Sequence, residues 1–215
     1  MRELTPEQRR WLIRAQELGF LGPKPIEGVH SHALGFGACV DDLLRRGAIP
    51  SSFRAADLGS GAGIPGLFLS MWFPLSSFLL IDSMRKRCMF LEEMVKEFDV
   101  AERVTVFCGR SEDCANSPAY RLSFDLVTAR GFASPAATAE NASGLLRQSG
   151  VLLVSEPPMT DTGVLRWPER GISVLGFSPP VYRRFEFSYC WMVKSRKARG
   201  KFPRGVGIPE KSPLF

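Results

Sequence analysis

The chain has 215 residues, of which 45% are apolar, and this is enough for one α/β domain with small additions. Its formal net charge of +6 permits an acidic partner such as nucleic acid without specifying one. No run reaches the roughly 18 to 20 consecutive apolar residues that span a bilayer. The N-terminal sequence MRELTPEQRR is charged and lacks the apolar centre of a signal peptide. We therefore expect a cytoplasmic protein with no membrane partner.

The five cysteines are scattered along the chain and form no Cys-x-x-Cys pair. They are Cys39, Cys88, Cys108, Cys114 and Cys190. This distribution favours free thiols in a reducing compartment over disulfides or zinc, and we expect no metal site.

The first 50 residues are predicted to be helical. Thr5 caps a first helix, Pro6 occupies its first position and Gln8 completes a capping box, so this helix should run to about Leu18. A glycine- and proline-rich loop follows, then a second helix over about 31–46. We expect residues 1–50 to form a helical cap on a main domain at 51–194, followed by a basic C-terminal tail at 195–215.

From Phe53 onward the sequence alternates apolar strand-like runs with helical segments, which indicates parallel βαβ units. Strands are predicted at 54–58, 77–81, 104–108, 124–128 and 151–155, and helices at 65–72, 84–98 and 135–146. Two further strands, at 172–177 and 185–194, are expected to form an antiparallel hairpin. The predicted fold class is α/β, a Rossmann-like sheet of seven mostly parallel strands with a terminal antiparallel hairpin and an N-terminal helical cap.

The most informative stretch is Arg54 to Leu69, RAADLGSGAGIPGLFL, which is predicted to be a strand, a glycine turn and a helix. Gly59, Gly61 and Gly63 allow positive φ angles and a close approach of ligand to backbone. Gly66 allows the helix to pack closely on the strand. Such a turn at the carboxyl edge of a parallel sheet is typical of a nucleotide-cofactor site.

The spacing Gly-x-Gly-x-Gly differs from the dinucleotide fingerprint, and no lysine follows as in a phosphate-binding loop. Instead, Asp57 precedes the turn and Asp82 ends the next strand. Carboxylates suit S-adenosylmethionine (SAM), which has a ribose diol and an ammonium group but no phosphate. Asp82 lies roughly 20 residues past the glycines, where a ribose ligand is expected. Its alternative role is to cap the following helix.

Five motifs in fixed order resemble the family of small-subunit ribosomal RNA methyltransferase G, also called GidB. The first is the glycine turn, from Asp57 to Gly66. The others are Leu80-Ile81-Asp82-Ser83 with Lys86-Arg87 and Phe90-Leu91, then Gly109-Arg110-Ser111-Glu112-Asp113, then Phe124-Asp125-Leu126-Val127, and then Arg130-Gly131-Phe132-Ala133-Ser134. The similarity covers about 32–154. After the fifth strand the family usually has Lys-Gly, whereas this chain has Glu156-Pro157.

The resemblance implies methylation of a guanine N7 in 16S ribosomal RNA, with SAM as cofactor and the small ribosomal subunit as partner. It implies that Ser111 and Glu112 border the adenine, that Asp82 meets the ribose, and that Arg130 lies at the reaction mouth. The cofactor-binding set it implies is Gly59, Ser60, Gly61, Ile64, Asp82, Ser111, Glu112 and Arg130.

No general base is expected, because guanine N7 has a free lone pair and the reaction needs positioning and desolvation. Arg130 is therefore the nearest candidate for a catalytic residue. It would hold the SAM carboxylate or a substrate phosphate. The alternative is an ion pair with Asp57 or Glu112.

Candidate RNA contacts are basic side chains and one histidine, namely His32, Lys86, Arg87, Lys194, Arg196, Lys197, Arg199 and Lys201. A solvated helix or tail surface is the alternative for the lysines and arginines, and a core position is the alternative for His32. Two other functions remain open from the sequence: a small-molecule methyltransferase on the same fold, and a non-catalytic module that binds SAM or RNA.

Overall fold

The computed structural model describes residues 2–157 and 166–215. Within them the helices are α1 (Pro6–Glu17), α2 (Ile26–Arg45), α3 (Gly66–Trp72), α4 (Arg85–Glu97), α5 (Ser111–Asn116), α6 (Pro135–Leu145), α7 (Glu169–Val174) and α8 (Ile208–Lys211). The strands are β1 (Arg54–Leu58), β2 (Ser77–Asp82), β3 (Val104–Cys108), β4 (Phe124–Ala129), β5 (Leu146–Glu156), β6 (Val181–Arg184) and β7 (Ser188–Val193).

The seven strands form one sheet in the order β3-β2-β1-β4-β5-β7-β6. The first five are parallel to their neighbours, while β7 runs antiparallel to both β5 and β6. The fold class predicted from the sequence is confirmed. The strand order reverses between β1 and β4, so the carboxyl ends of these two strands border the crevice where open α/β sheets bind ligands.

Helices cover both faces of the sheet because successive strand residues are apolar. In β2, Phe78 and Leu80 belong to a core shared with α1 to α4, whereas Leu79 and Ile81 belong to a second core. The second core includes side chains of α5, α6 and α7. The chain is therefore a three-layer α/β/α sandwich whose strands are apolar on both faces, as parallel sheets require.

The N-terminal helices help to form the first core. Thr5 caps α1, and the predicted capping box with Gln8 is present. The Trp11 side chain is buried and its indole Nε1 donates to the Ala62 carbonyl at 2.9 Å, so α1 reaches the glycine turn itself. The division of the chain at residue 50 stays a prediction, since α1, α2 and the sheet share one apolar cluster.

Four predicted segments differ from the structure, and one of them is β5, which begins at Leu146 instead of 151. Helix α2 begins at Ile26, inside the predicted loop, because Pro25 precedes it and fits a helix start. The prediction of a strand at 172–177 is wrong. Glu169–Val174 forms helix α7, which also follows a proline. The terminal hairpin is formed instead by β6 and β7.

Gly66 lies where helix α3 crosses β1 and β2, and there is no room for a side chain. A Cβ placed on it would lie 2.5 Å from Leu80 Cδ2 and 2.8 Å from both Asp57 Cβ and Oδ2. We expect Gly66→Ala to lower the free energy of unfolding by about 1–3 kcal/mol, the range for overpacking in a core. Urea denaturation measures this change.

Gly28→Ala in α2 is the matched control for that experiment, since nothing lies within 4 Å of a Cβ there. It should be neutral or stabilise the helix by up to about 1 kcal/mol. Equal stability of the two variants would show that the close contact at Gly66 is not energetically important.

No helix in the described part of the chain is both long enough and apolar enough to cross a membrane.

Candidate active site

The glycine turn leaves β1 with positive φ angles of 65° at Gly59, 57° at Gly61 and 95° at Gly63. Ser60 fixes this path, because its Oγ donates to the Asp57 carbonyl at 3.0 Å and accepts from the Ile81 N–H at 3.1 Å. These two hydrogen bonds connect the turn to β1 and to β2.

Asp82 is 4% exposed and uses both carboxylate oxygens on backbone donors. Its Oδ2 accepts from the Gly61 N–H at 2.9 Å, and its Oδ1 accepts from the Met84 N–H at 2.9 Å. Arg87 Nη1 lies 3.7 Å from Oδ2. Asp82 therefore shapes the glycine turn. It also accepts from the N–H of Met84, but Met84 itself is the N-cap residue of α4, which has no side-chain cap hydrogen bond.

A cavity of about 180 Å³ opens beside this turn. Of the predicted cofactor residues, it is lined by Gly59, Asp82, Ser111 and Glu112. The structure thus brings together the ends of β1, β2 and β3. Ser60 and Ile64 are buried behind the turn, 2% and 4% exposed, and they do not line the cavity.

Asn141 is a cavity residue that the sequence analysis missed. It is 2% exposed, and its Nδ2 donates to the Ala137 carbonyl at 3.0 Å, one helical turn earlier in α6. Its Oδ1 is buried without a partner within the described residues. A polar residue amid the alanines of α6 was the only available signal for it.

The C-terminal part of the chain forms the remaining wall, and we call residues 202–212 the C-terminal strap. Arg121 Nη1 donates to the Phe202 carbonyl at 2.8 Å and Asn116 Nδ2 to the Pro203 carbonyl at 3.2 Å. The strap then reaches the cavity, which Pro209 and Glu210 line. The predicted basic tail is thus partly a packed element of the fold.

Glu112 is the point where the strap and the cavity meet. It is 4% exposed, and its Oε1 accepts from the Gly207 N–H at 3.0 Å. Ser111 Oγ lies 3.2 Å from its Oε2, within hydrogen-bonding distance, and Arg110 Nε lies 3.8 Å from the same oxygen. The strap therefore fixes the carboxylate that the sequence predicts to border the adenine.

A second cavity, of about 360 Å³, lies on the other side of the segment Gly131-Phe132-Ala133, which lines both cavities. A Cβ on Gly59 would lie 2.7 Å from Phe132 Cδ2, so the Phe132 ring lies directly over the glycine turn. The second cavity is also lined by His32, Arg130, Glu156 and Trp167. The two cavities therefore share the wall that this segment forms at the carboxyl edge of the sheet.

Arg130 lies between the turn and the second cavity. Its Nη1 is buried without a hydrogen-bond partner, and the described residues contain no ion pair between Arg130 and Asp57 or Glu112. Burial lowers the pKa of the Arg130 guanidinium, while the nearby Asp57 carboxyl acts in the opposite direction. The geometry leaves a buried donor available for an anionic ligand.

Asp57 is fully buried beneath the turn. Its Oδ1 accepts from Thr128 Oγ1 at 2.7 Å and its Oδ2 from the Gly66 N–H at 3.2 Å. Burial raises the pKa of its carboxyl to about 6, although these donors and Arg130 oppose the shift. Asp57 acts as a structural link between β1, β4 and α3.

His32 lies half-buried in an aromatic cluster and also lines the second cavity. Its ring centroid is 4.6 Å from that of Phe187. Burial lowers the pKa of its imidazole to about 4, with Arg130 and Lys24 adding to the shift. His32 is therefore neutral at neutral pH, and any contact it makes with RNA would be uncharged.

Glu156 ends β5 at the second cavity, and its side chain is only 7% exposed. Its Oε1 accepts from the Trp167 indole Nε1 at 2.8 Å, and its Oε2 lies 2.8 Å from Arg166 Nε. The Glu156 carboxylate is thus a paired wall group, at the position where the related family usually has lysine.

Of the predicted RNA contacts, Arg87 lines the first cavity and His32 lines the second. Lys86 is exposed and Arg87 is half-buried at the start of α4. Arg196, Lys197, Arg199 and Lys201 are exposed on the segment after β7, outside both cavities.

The prediction that Lys194 contacts RNA is wrong. It is 4% exposed, and its Nζ donates to the carbonyls of Ser143 and, at 2.8 Å, of Leu146. Burial lowers the pKa of its ammonium to about 8, with Arg121 adding to the shift. The lysine joins β7 to the end of α6 instead of meeting solvent.

The residues at the first cavity fit SAM. The peptide groups of the turn lie open at Gly59, acids end β2 and begin α5, and the Asn141 Oδ1 is buried without a partner within the described residues. Together with the strand order, these features define a SAM-dependent methyltransferase.

Comparison with known proteins supports this class and narrows it. Residues 40–158 match the model of the family described as rRNA small subunit methyltransferase G, GidB. Ribosomal RNA small subunit methyltransferase G of Symbiobacterium thermophilum is 33% identical over 88% of this chain and 80% of its own length. The protein of that name from Roseiflexus castenholzii is 32% identical over 98% of this chain and 89% of its own length. The chain belongs to this family.

Solved structures confirm the fold. A putative sarcosine dimethylglycine methyltransferase from Galdieria sulphuraria has a TM-score of 0.55 and 18% identity, over 67% of this chain and 62% of that one. A structure of PigF with SAH has a TM-score of 0.51 and 15% identity, over 65% of this chain and 50% of that one.

We expect Asp82→Ala to weaken SAM binding by about 1–3 kcal/mol, the scale of a lost hydrogen bond to a charged group. The substitution also removes the acceptor for the Gly61 N–H, so the turn itself loosens. Isothermal titration calorimetry measures the effect. Asp113→Ala, an exposed acid on α5, is the matched control. Unchanged affinity in Asp82→Ala would disprove the role of this carboxylate.

Proposed function

We propose that this protein transfers the methyl group of SAM to N7 of a guanine in 16S ribosomal RNA of the small subunit. The observation that carries the proposal is membership of the methyltransferase G family over residues 40–158, which include the whole first cavity except its strap wall. The second cavity, which shares the Gly131–Ala133 wall with the first, is the place for the acceptor base.

In this proposal the cofactor lies across the glycine turn. The backbone from Gly59 through Gly61 to Ile64 forms the turn that supports the cofactor. Ser60, on the side away from the cavity, fixes this turn through its two hydrogen bonds. Asp82 faces the ribose, since it lines the cavity at the end of β2. Ser111 and Glu112 border the adenine, and the free Asn141 Oδ1 is suited to accept from an exocyclic amine.

When bound, SAM supplies an electrophilic methyl group on a sulfonium ion. The protein's contribution is to align this methyl with the acceptor nitrogen and to exclude water, which requires no proton transfer for guanine N7. The groups at the second cavity agree with this: His32 has a low pKa, and Glu156 is held by Trp167 and Arg166. Arg130 presents its free Nη1 to the SAM carboxylate or to a phosphate of the acceptor.

The test is transfer of tritium from labelled SAM to 30S subunits, naked 16S RNA and free ribonucleosides, followed by nucleoside analysis. We expect label in 7-methylguanosine from RNA. Label in another nucleoside would overturn the N7 assignment. Label restricted to a small molecule would favour the alternative of a small-molecule methyltransferase.

Thermal denaturation with and without SAM serves as the control for cofactor binding. A ligand that binds the folded state at 100 times its Kd stabilises by about 2.7 kcal/mol, so a clear rise in Tm is expected. A Tm that SAM leaves unchanged would contradict the proposal at its first step.

A further inference from the structure

The hairpin of β6 and β7, which we call the edge hairpin, lies beside β5, whose last residue Glu156 lines the second cavity. In the sheet, Glu156 pairs with Ser188, and Ser188 pairs with Arg184. Two residues further along β7, Cys190 pairs with Tyr182. Because directly paired residues share a face of the sheet, Tyr182 and Arg184 lie on the face of Glu156. That is also the face of Cys190, whose Sγ lies 3.4 Å from Glu156 Oε1.

Tyr182 is 53% exposed, and Arg184 is also exposed, so both side chains are available to a partner. Burial raises the pKa of the Tyr182 phenol, and Cys190 and Glu156 add to this shift whereas Arg166 opposes it. Tyr182 is therefore a neighbour of the Glu156–Arg166 pair at the rim of the second cavity. Arg166 itself is 41% exposed.

The exposed groups at this rim are cationic and aromatic. Arg184 has no ion pair within the described residues, and Glu156 on the same face is only 7% exposed and already pairs with Arg166. Arginine side chains suit the phosphates of a nucleic acid, and an exposed phenol ring suits a base. This combination is how proteins bind single-stranded RNA, with bases stacked on aromatic rings and phosphates on basic side chains.

We propose that Tyr182, Arg184 and Arg166 form an RNA-docking rim that holds a nucleotide flanking the acceptor guanine. This inference rests on the proposed function. The flanking base stacks on Tyr182, and its phosphates lie between Arg184 and Arg166. The rim adds to the predicted contacts Arg196, Lys197, Arg199 and Lys201, which are exposed, whereas Lys194 is buried and Arg204 is paired with Glu140.

The test uses the full-length protein and a short single-stranded oligoribonucleotide in a fluorescence-anisotropy titration. We expect Tyr182→Ala and Arg184→Gln each to weaken RNA binding about tenfold, within the range for a lost stacking platform or phosphate contact. Tyr182→Phe keeps the ring and should bind like wild type. Arg184→Gln should also reduce the slope of log K against log salt by about one.

Lys96→Gln is the matched control, an exposed cation near the C-terminal end of α4 and hence at the opposite edge of the sheet. It should leave RNA affinity unchanged. Calorimetry should show wild-type SAM affinity in all four variants, which excludes misfolding as the cause of a loss.

The outcomes separate this inference from the proposed function. If the wild-type protein transfers tritium from SAM to RNA but Tyr182→Ala and Arg184→Gln bind RNA like wild type, the RNA-docking rim is disproved and the proposed function stands. If Lys96→Gln and Arg184→Gln lost equal RNA affinity, the RNA-docking rim would also be disproved, because equal losses indicate non-specific electrostatic attraction. If wild-type protein binds SAM but neither binds nor labels RNA, both proposals fail.

Discussion

Replacing Arg204 with alanine should lower the free energy of unfolding by about 3 kcal/mol, since it leaves a buried carboxylate without its ionic partner. Glu140 on α6 is fully buried, and Arg204 supplies three donors to it. The backbone N–H and Nε reach Oε1 at 2.8 and 2.9 Å, and Nη2 reaches Oε2 at 2.7 Å. Only the backbone donor survives the substitution. Urea denaturation monitored by fluorescence measures the loss.

The same substitution should weaken SAM binding, because Arg204 is the anchor of the C-terminal strap and Gly207 and Pro209 follow it at the first cavity. A double-mutant cycle with Glu140→Gln is the matched control. If the cost comes from an unpaired buried charge, Glu140→Gln should restore part of the stability in the Arg204→Ala background. No recovery in the double variant, or a single variant as stable as wild type, would contradict this account.

Arg130→Ala should lower kcat/KM for RNA about a hundredfold, the factor that corresponds to roughly 3 kcal/mol of charge-assisted hydrogen bonding. The guanidinium carries a buried Nη1 without a partner within the described residues, and Arg130 lines the second cavity next to Gly131, which lines both cavities. Arg130→Lys should recover only part of the activity, because lysine keeps the charge but loses the planar fork. Steady-state kinetics with labelled SAM measures both variants.

Calorimetry with SAM then assigns the partner of Arg130. A raised Kd for SAM indicates the cofactor carboxylate, whereas an unchanged Kd with a raised KM for RNA indicates a substrate phosphate. Arg10→Ala, an exposed residue of α1, is the control and should leave both constants unchanged. Activity of Arg130→Ala within threefold of wild type would show that its buried donor has no part in the reaction.

The parallel part of the sheet could be predicted closely from the sequence. The structure places β1 at Arg54–Leu58 and β3 at Val104–Cys108, both as expected, and extends β2 by one residue. These strands are short, mainly apolar runs bounded by turn residues, and β1 and β2 are buried along nearly all of their length, so composition defines them. The site at their carboxyl ends follows from the same topology.

The errors arise where local pattern and tertiary packing disagree. The alternation in Ile172–Phe177 resembles a strand, yet Pro168 and Glu169 are a helix start, and that signal was stronger. Lys194 resembles the start of a basic tail. However, the period of two in β7 places it on the face of Cys190 and Met192, both fully buried, and this predicts its burial.

The return of the strap could not be predicted, because it depends on a contact between residues far apart in the sequence. Gly207 and Glu112 are joined by a hydrogen bond across 95 positions. No periodicity relates them, and a short run containing glycine and proline is compatible with any path. The same limit applies to Asn141, whose importance depends on which wall of the cavity α6 supplies.

The edge hairpin has a further consequence for association between copies of the chain. Within the described residues β6 is the last strand of the sheet, so one side of its backbone is left without a ladder partner. Such an edge is a template for strand addition, and charged side chains on it oppose the approach of an identical edge. Arg184 repels its own copy in this way, whereas Arg183 is paired with Asp42, so an apolar residue at Arg184 would favour aggregation of the protein.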